Sequence, residues 1–156
     1  MPVGIMQATV TTMTEEGPKP VSMEELCAGK KVVLFAVPGA FTPTCSVQHL
    51  PGFVTNASNL KDKGADEVAC ISVNDPFVMA AWGKDRGVGE DVLMLSDGNA
   101  EFTSAIGLEM DGSGFGLGTR SQRYAMIIDD GVVSTLNVES GPGLEVSSAE
   151  TILEAL

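Results

Sequence analysis

The stretch KKVVLFAVPGAFTPTCS, from Lys30 to Ser46, joins an apolar run to a loop with two prolines and then to a helix start. After its two lysines the run is apolar and rich in β-branched residues, which is typical of a strand covered on both faces. Pro43 suits the first helical position, where its missing N–H costs nothing. The stretch therefore predicts a central strand, a tight loop and a helix, in that order.

The segments around this stretch predict further short elements. The S-x-x-E pattern that begins at Ser22 is a capping box and predicts a short helix ending near Gly29. Upstream, residues 3–10 predict an edge strand and residues 14–20 a turn. Within the helix that follows the quoted stretch, Pro51 is expected to bend or split the helical segment, because it removes a backbone donor.

The rest of the chain alternates in the same way. Asp130-Gly131 predicts the tight turn of an antiparallel hairpin. A second S-x-x-E pattern, beginning at Ser147, predicts a final helix to Leu156. The glycine-rich residues 111–118 predict a loop. The remaining predicted elements are strands at 67–73, 91–95, 123–129 and 131–138, and helices at 75–86 and 99–108.

The order β-α-β-α-β-α-β-β-α places parallel units first and a hairpin with a helix last. That layout predicts a thioredoxin-like α/β sandwich, in which a central mixed sheet carries helices on both faces. The length of 156 residues fits a single domain spanning residues 1–156.

Composition excludes several classes of function. Hydrophobic residues make up 44% and charged residues 19%, which is a globular composition. The net charge of −12 disfavours binding to nucleic acid or to anionic membranes, and no apolar run approaches the ~20 residues of a spanning helix. The first residues lack the basic start and apolar stretch of a signal peptide. An odd number of cysteines, three, indicates a reducing compartment, and we expect the cytoplasm. We predict no metal site and no cofactor.

Cys45 is the candidate nucleophile. With Thr42 as N-cap and Pro43 as N1, Cys45 falls in the first helical turn, where the Thr42 hydroxyl can accept from its backbone N–H. Unpaired N–H groups and the helix dipole favour a thiolate there. The alternative is an inert cysteine that acts as a small hydrophobe. Pro38 and Gly39 stiffen and shape the path into the helix, and the end of a central strand is where open α/β sheets bind ligands.

The segment VPGAFTPTCS resembles the active site of peroxiredoxins, whose pattern P-x-x-x-T-x-x-C falls on Pro38, Thr42 and Cys45. The flanking segments HLPGF, CISVNDPFVMAAW, GLGTRSQRYAMIIDDG and VSSAETIL resemble the type II, or peroxiredoxin-five, subfamily. The similarity extends from about Lys30 to Leu156.

The resemblance implies a thiol-dependent peroxidase that reduces hydrogen peroxide and alkyl hydroperoxides through a Cys45 sulfenic acid. It implies that the Thr42 hydroxyl bridges sulfur and peroxide, and that Pro38 shields the sulfur from water. Arg123 matches the family arginine, whose cation would stabilise the thiolate and the leaving oxygen. Arg120 is the nearby rival for that role.

The resemblance also implies recycling by an external thiol, because residues 141–150, GPGLEVSSAE, hold no resolving cysteine. We expect glutathione with glutaredoxin, or else thioredoxin, as reductant, and a homodimer as the assembly. The alternative function is a peroxide-sensing redox module without efficient turnover. A disulfide reductase would need a CxxC pair, which the sequence lacks.

Other residues are predicted to have structural roles. Cys70 is expected to be a structural cysteine of the core, and Cys27 to be packed or partly exposed. Trp82 and Phe77 are expected to pack in the core, with a subunit interface as the alternative. His49 lies one turn beyond Cys45, and we predict a structural histidine that bonds backbone near Pro51.

Overall fold

The structure is a computed structural model that describes residues 7–141 and 143–156. Its strands are β1 (Thr9–Thr14), β2 (Gly17–Ser22), β3 (Lys31–Ala36), β4 (Glu67–Ser72), β5 (Leu93–Ser96), β6 (Glu109–Asp111), β7 (Thr119–Ser121), β8 (Tyr124–Asp129) and β9 (Val132–Val138). Its α-helices are α1 (Met23–Cys27), α2 (Leu50–Asp62), α3 (Pro76–Asp85), α4 (Glu101–Ala105) and α5 (Ala149–Ala155).

A seven-stranded mixed sheet forms the centre, in the order β2-β1-β5-β4-β3-β8-β9. β3 pairs in parallel with β4 and antiparallel with β8. Alternate residues of β3 point to two apolar cores, with Phe35 in one and Leu34 in the other. Residues of α2, α3 and α5 pack in the first core, and residues of α1 and α4 pack in the second. The predicted sandwich with helices on both faces is confirmed.

The N-terminal region differs from the prediction. The first strand is Thr9–Thr14, and residues 3–6 of the predicted strand lie outside the described residues. The predicted turn at residues 14–20 is confirmed only at residues 15–16, because Gly17–Ser22 forms a second strand paired with the first. Pro18 and Pro20 lack a backbone N–H, which is tolerated because β2 is the edge strand of the sheet.

The predicted interruption at Pro51 is confirmed and takes the form of a π-helical turn, Cys45–His49, directly before α2. The N–H of Leu50 bonds the carbonyl of Cys45, five residues back. Pro51 has no N–H to donate to the carbonyl four residues back, and its ring crowds that carbonyl. The backbone hydrogen bonds before it therefore span five residues instead of four.

The turn of the C-terminal hairpin and the start of the last helix are set by the residues at those positions. Asp130 and Gly131 have φ of 47° and 80°, as a two-residue turn between antiparallel strands requires. The N-cap of α5 is Ser148, whose hydroxyl accepts from the Thr151 N–H at 3.3 Å. The predicted cap at Ser147 is therefore one residue early, because the Ser147 hydroxyl donates elsewhere in the fold.

In the described part of the chain, no helix combines the length and the apolar character needed to cross a lipid bilayer.

Candidate active site

The loop after β3 is held by side chains from the neighbouring strand. Ser72, the last residue of β4, donates from its hydroxyl to the Val37 carbonyl at 3.0 Å. Asn74 accepts at its Oδ1 from the Ala40 N–H at 2.9 Å, and the same Oδ1 lies 2.9 Å from the Ser72 hydroxyl oxygen, which shares its single proton between Asn74 and the Val37 carbonyl. These contacts fix the loop before Cys45. Asn74 was missed by sequence reasoning, although its place just after a parallel strand beside β3 is a usable signal.

Thr42 does not cap the helix as predicted. Its hydroxyl donates to the Gly39 carbonyl at 2.7 Å, and the backbone N–H of Ser46 bonds the Thr42 carbonyl at 3.0 Å. The loop turns tightly enough to offer the hydroxyl a carbonyl three residues back, and this contact replaces the cap on the Cys45 N–H. The hydroxyl oxygen keeps its lone pairs for another donor.

Cys45 and Arg123 are in direct contact. The Nη2 of Arg123 donates to the Cys45 Sγ at 3.1 Å. Arg123 is 8% exposed and Cys45 is 0% exposed. A guanidinium is always charged, so a buried cation lies against the sulfur. The guanidinium therefore places a positive charge and a hydrogen-bond donor directly at the candidate nucleophile.

Arg120 contacts the loop and not the sulfur. Its Nε donates to the Leu117 carbonyl at 2.9 Å, and its Nη1 lies 3.4 Å from the Pro38 carbonyl oxygen. A Cβ added at Gly39 would come 2.9 Å from the same Nη1, so glycine allows the guanidinium to lie over the loop. Of the two candidate arginines, the structure therefore brings Arg123 to Cys45.

His49 links Arg123 to the backbone. Its Nδ1 lies 2.9 Å from the Arg123 Nη1, and its Nε2 lies 2.9 Å from the Ser147 carbonyl oxygen. Because arginine can only donate and a carbonyl can only accept, Nδ1 is the bare nitrogen and Nε2 carries the proton. The predicted backbone contact near Pro51 is wrong: the partners of His49 are Ser147 and Arg123.

The imidazole of His49 is neutral. Burial and the neighbouring Arg123 charge lower the pKa of His49 from its ordinary 6.5 to about 3. His49 cannot therefore serve as a cation at Cys45, and its role is to accept a hydrogen bond from the arginine.

This shift predicts a pH dependence of stability. Between pH 6.5 and about 3 the unfolded chain binds a proton at His49 that the folded chain does not, so the free energy of unfolding is expected to fall as the pH falls through this window. Urea unfolding at several pH values between 5 and 7 measures the effect. His49→Gln is the control and should flatten the curve there, because the chain has a single histidine. An equal slope in wild type and variant would contradict the assignment.

A cavity of about 730 Å³ lies beside Arg123, the residue that contacts the Cys45 sulfur. Pro38, Thr42 and Arg123 line it, together with Phe115 and Leu117 of the glycine-rich segment. The glycine-rich segment therefore lies beside the candidate site. Because Cys45 is fully buried, a reactant in the cavity meets Thr42 and Arg123 before it reaches the sulfur.

The other two cysteines are buried thiols, as predicted. Cys27 and Cys70 are both 0% exposed. Burial raises the pKa of Cys27 to about 11, and burial with the nearby Cys45 raises the pKa of Cys70 well above its ordinary value. Neither is therefore a thiolate at neutral pH.

The two aromatic residues of α3 differ in their surroundings. Trp82 is 0% exposed and donates from its Nε1 to the Ser46 hydroxyl at 3.0 Å, so its predicted place in the core is confirmed. Phe77 is 65% exposed, so the core prediction for it is wrong.

Comparison with known proteins places this geometry in a family. The Redoxin family model matches residues 4–153. The chain is 58% identical to peroxiredoxin-2E, chloroplastic, of Arabidopsis thaliana, over 88% of this chain and 60% of the relative. It is 56% identical to peroxiredoxin-2B of the same plant, over 86% of this chain and 83% of the relative. The chain thus spans less than two thirds of the chloroplastic relative's length.

Solved structures agree on the fold. The crystal structure of reduced Prx3 in complex with H2O2 from Vibrio vulnificus superposes with a TM-score of 0.93 and 59% identity, over 99% of this chain and 98% of that one. The predicted thioredoxin-like peroxiredoxin fold is confirmed by this match. On the family match and these identities, the chain belongs to the peroxiredoxin family, in its type II group.

Proposed function

We propose that the protein is a thiol-dependent peroxidase that reduces hydrogen peroxide and alkyl hydroperoxides to water or alcohol. The single observation that carries the proposal is the contact of 3.1 Å between the Arg123 guanidinium, which lines a cavity, and the buried Cys45 sulfur. A neighbour in fold is described as a complex with hydrogen peroxide, which supports the same substrate here.

The proposed reaction begins with the Cys45 thiolate. The sulfur attacks one peroxide oxygen, an S–O bond forms and the O–O bond breaks. The second oxygen leaves with the electron pair and takes up a proton to become water or an alcohol, while Cys45 becomes a sulfenic acid. Arg123 stabilises the thiolate before the attack and the negative charge on the leaving oxygen during it.

Thr42 and Pro38 complete the proposed site. Both line the cavity beside Arg123. The Thr42 hydroxyl donates its hydrogen bond to the Gly39 carbonyl. The hydroxyl oxygen can therefore accept a hydrogen bond from the O–H of a hydroperoxide and orient the hydroperoxide toward the sulfur. The Pro38 ring has no backbone N–H to offer water and covers the site on the loop side.

Steady-state peroxide consumption distinguishes this function from a redox sensor. A peroxidase consumes many equivalents of peroxide while a thiol reductant is present, whereas a sensor consumes one equivalent per Cys45. Glutathione with glutaredoxin, and thioredoxin with its reductase, are compared as reductants. If consumption stops after one equivalent with both reductants, the result supports the sensor and contradicts the peroxidase.

We propose that an external thiol recycles Cys45. Cys27 and Cys70 are buried, and their raised pKa values keep them as poorly nucleophilic thiols. Glutathione would form a mixed disulfide with the Cys45 sulfenic acid and release water, and glutaredoxin, or else thioredoxin, would reduce that disulfide. Because Cys45 is 0% exposed, the turn that carries it must open for this bulkier thiol.

The variant with Cys27→Ser and Cys70→Ser is therefore expected to keep at least about half of the glutathione-supported turnover. Mass spectrometry after peroxide and glutathione treatment should find the adduct on Cys45. An internal disulfide from Cys45 to Cys27 or Cys70 as the main product, or a folded but inactive double variant, would contradict external recycling.

We also propose that the chain acts as one domain in the cytoplasm, as a homodimer. The three cysteines are all free, which suits a reducing compartment. Large apolar side chains are exposed on segments that neighbour the active site: Phe41 (51%), Val47 (68%), Phe77 (65%) and Phe115 (89%). A contact between two copies would remove this surface from water. Sedimentation velocity measures the mass of the assembly.

A further inference from the structure

The hydrogen bonds behind Arg123 lead to a buried carboxylate. Glu139 follows β9 directly, and its backbone N–H bonds the Arg123 carbonyl at 2.9 Å. The residue is 8% exposed, and its side chain faces the segment before α5. Glu139 therefore lies beside the site on one side and beside Ser147, the partner of His49, on the other.

The carboxylate collects hydrogen bonds from three consecutive residues. Its Oε2 accepts from the N–H groups of Val146 and Ser147, both at 2.8 Å, and from the Ser147 hydroxyl at 2.7 Å. The N–H of Glu145 lies 3.1 Å and 3.0 Å from the two oxygens. Burial alone would raise the pKa of Glu139, but these bonds outweigh it and leave the pKa lowered. The side chain is an anion held by neutral donors.

These bonds direct the Ser147 carbonyl. Because Ser147 is held at both its N–H and its hydroxyl, its carbonyl oxygen is kept 2.9 Å from the His49 Nε2. That acceptor requires the proton on Nε2, which leaves Nδ1 bare for the Arg123 Nη1. With the proton on Nδ1 instead, two donors would face each other and the guanidinium would have to turn away from the sulfur.

We propose that Glu139 is a positioning residue: by holding Ser147 it sets the tautomer of His49, and through His49 it aims Arg123 at Cys45. The effect on rate rests on the proposed role of Arg123, whereas the effect on the tautomer does not. A purely structural Glu139 would hold the segment 145–147 in place without controlling the imidazole.

The test uses Glu139→Gln with ¹⁵N-labelled histidine. The chain has a single histidine, so an untagged protein gives one imidazole signal pair in the NMR spectrum. The wild type should show only the tautomer with the proton on Nε2. Glu139→Gln should show a second tautomer or exchange between the two, together with an about tenfold slower reaction of Cys45 with hydrogen peroxide, from misplacement of the guanidinium.

The matched control is Glu145→Gln. It removes the same charge from a residue six positions further along the chain, whose side chain is exposed. It should keep the single tautomer and the wild-type rate. A single unchanged tautomer in folded Glu139→Gln overturns the proposal, whatever happens to stability. If wild type fails to react with peroxide, the proposed function fails, and the tautomer result still decides the role of Glu139.

Ser147→Ala is the second variant and covers the case in which Glu139→Gln does not fold. It removes one donor from the carboxylate and keeps the backbone. We expect the same change of tautomer to a smaller extent, with a rate loss of severalfold. An unchanged tautomer and rate in Ser147→Ala would overturn the proposal as well.

Discussion

Replacement of Cys45 by serine is expected to lower peroxide turnover by about 10³-fold or more, because the nucleophile of the reaction is lost. A serine hydroxyl in this position stays protonated, even beside the Arg123 cation, and an alcohol is a far weaker nucleophile toward a peroxide oxygen than a thiolate. The measurement is peroxide consumption with glutathione and glutaredoxin in excess.

Cys70→Ser is the matched control for this variant. It makes the same chemical change in the same apolar core and leaves the sulfur of Cys45 in place. We expect it to retain most of the activity, although a buried hydroxyl costs some stability. A folded Cys45→Ser protein with turnover near that of wild type would show that another group carries the reaction.

Replacement of Arg123 by alanine is expected to slow the reaction of Cys45 with hydrogen peroxide by about 10²–10³-fold, the usual cost of removing one preorganised donor from a developing negative charge. The loss has two parts. The Cys45 sulfur loses its hydrogen-bond donor, and the leaving oxygen loses its cation. Stopped-flow measurement of the second-order rate constant, with the ultraviolet absorbance of the thiolate at the same pH, separates them.

Two further variants test the specificity of this assignment. Arg123→Lys should restore only part of the rate, because a point charge cannot donate at once to the Cys45 sulfur and to the His49 Nδ1 as the planar guanidinium does. Arg120→Ala should slow the reaction much less, because the Arg120 nitrogens contact loop carbonyls. If Arg120→Ala is the more damaging change, the roles of the two arginines are reversed.

Sequence reasoning succeeded where neighbouring residues settle the conformation. The cap at Ser22 forms as predicted, at 3.1 Å, because its hydroxyl reaches the Glu25 N–H only three residues away. The turn at Asp130-Gly131 needs two residues with positive φ, and the interruption at Pro51 needs only a missing N–H. The apolar run of β3 likewise predicts burial on both faces.

Sequence reasoning failed where a residue or segment has two possible local conformations or hydrogen-bond partners. Ser147 and Ser148 both precede α5, and the local sequence does not distinguish which hydroxyl caps the helix. In the fold, the Ser147 hydroxyl donates to Glu139, and the Ser148 hydroxyl is the cap. Thr42 has the same ambiguity between an N–H ahead of it and the Gly39 carbonyl behind it. The strand β2 was missed because its prolines are acceptable only at a sheet edge, and the edge is a property of the whole sheet.

The sequence by itself predicted Cys45 as the candidate nucleophile, and it determined the place of Cys45 at a helix start after the central strand and the kind of fold that presents it. Only the tertiary structure decided what surrounds the sulfur. Arg123 lies 78 residues from Cys45, and Ser147 lies 98 residues from His49. The antiparallel register of β3 and β8, which pairs Ala36 with Tyr124, brings Arg123 rather than Arg120 to the Cys45 sulfur. Such contacts depend on strand register and helix packing across the chain, so no local pattern encodes them.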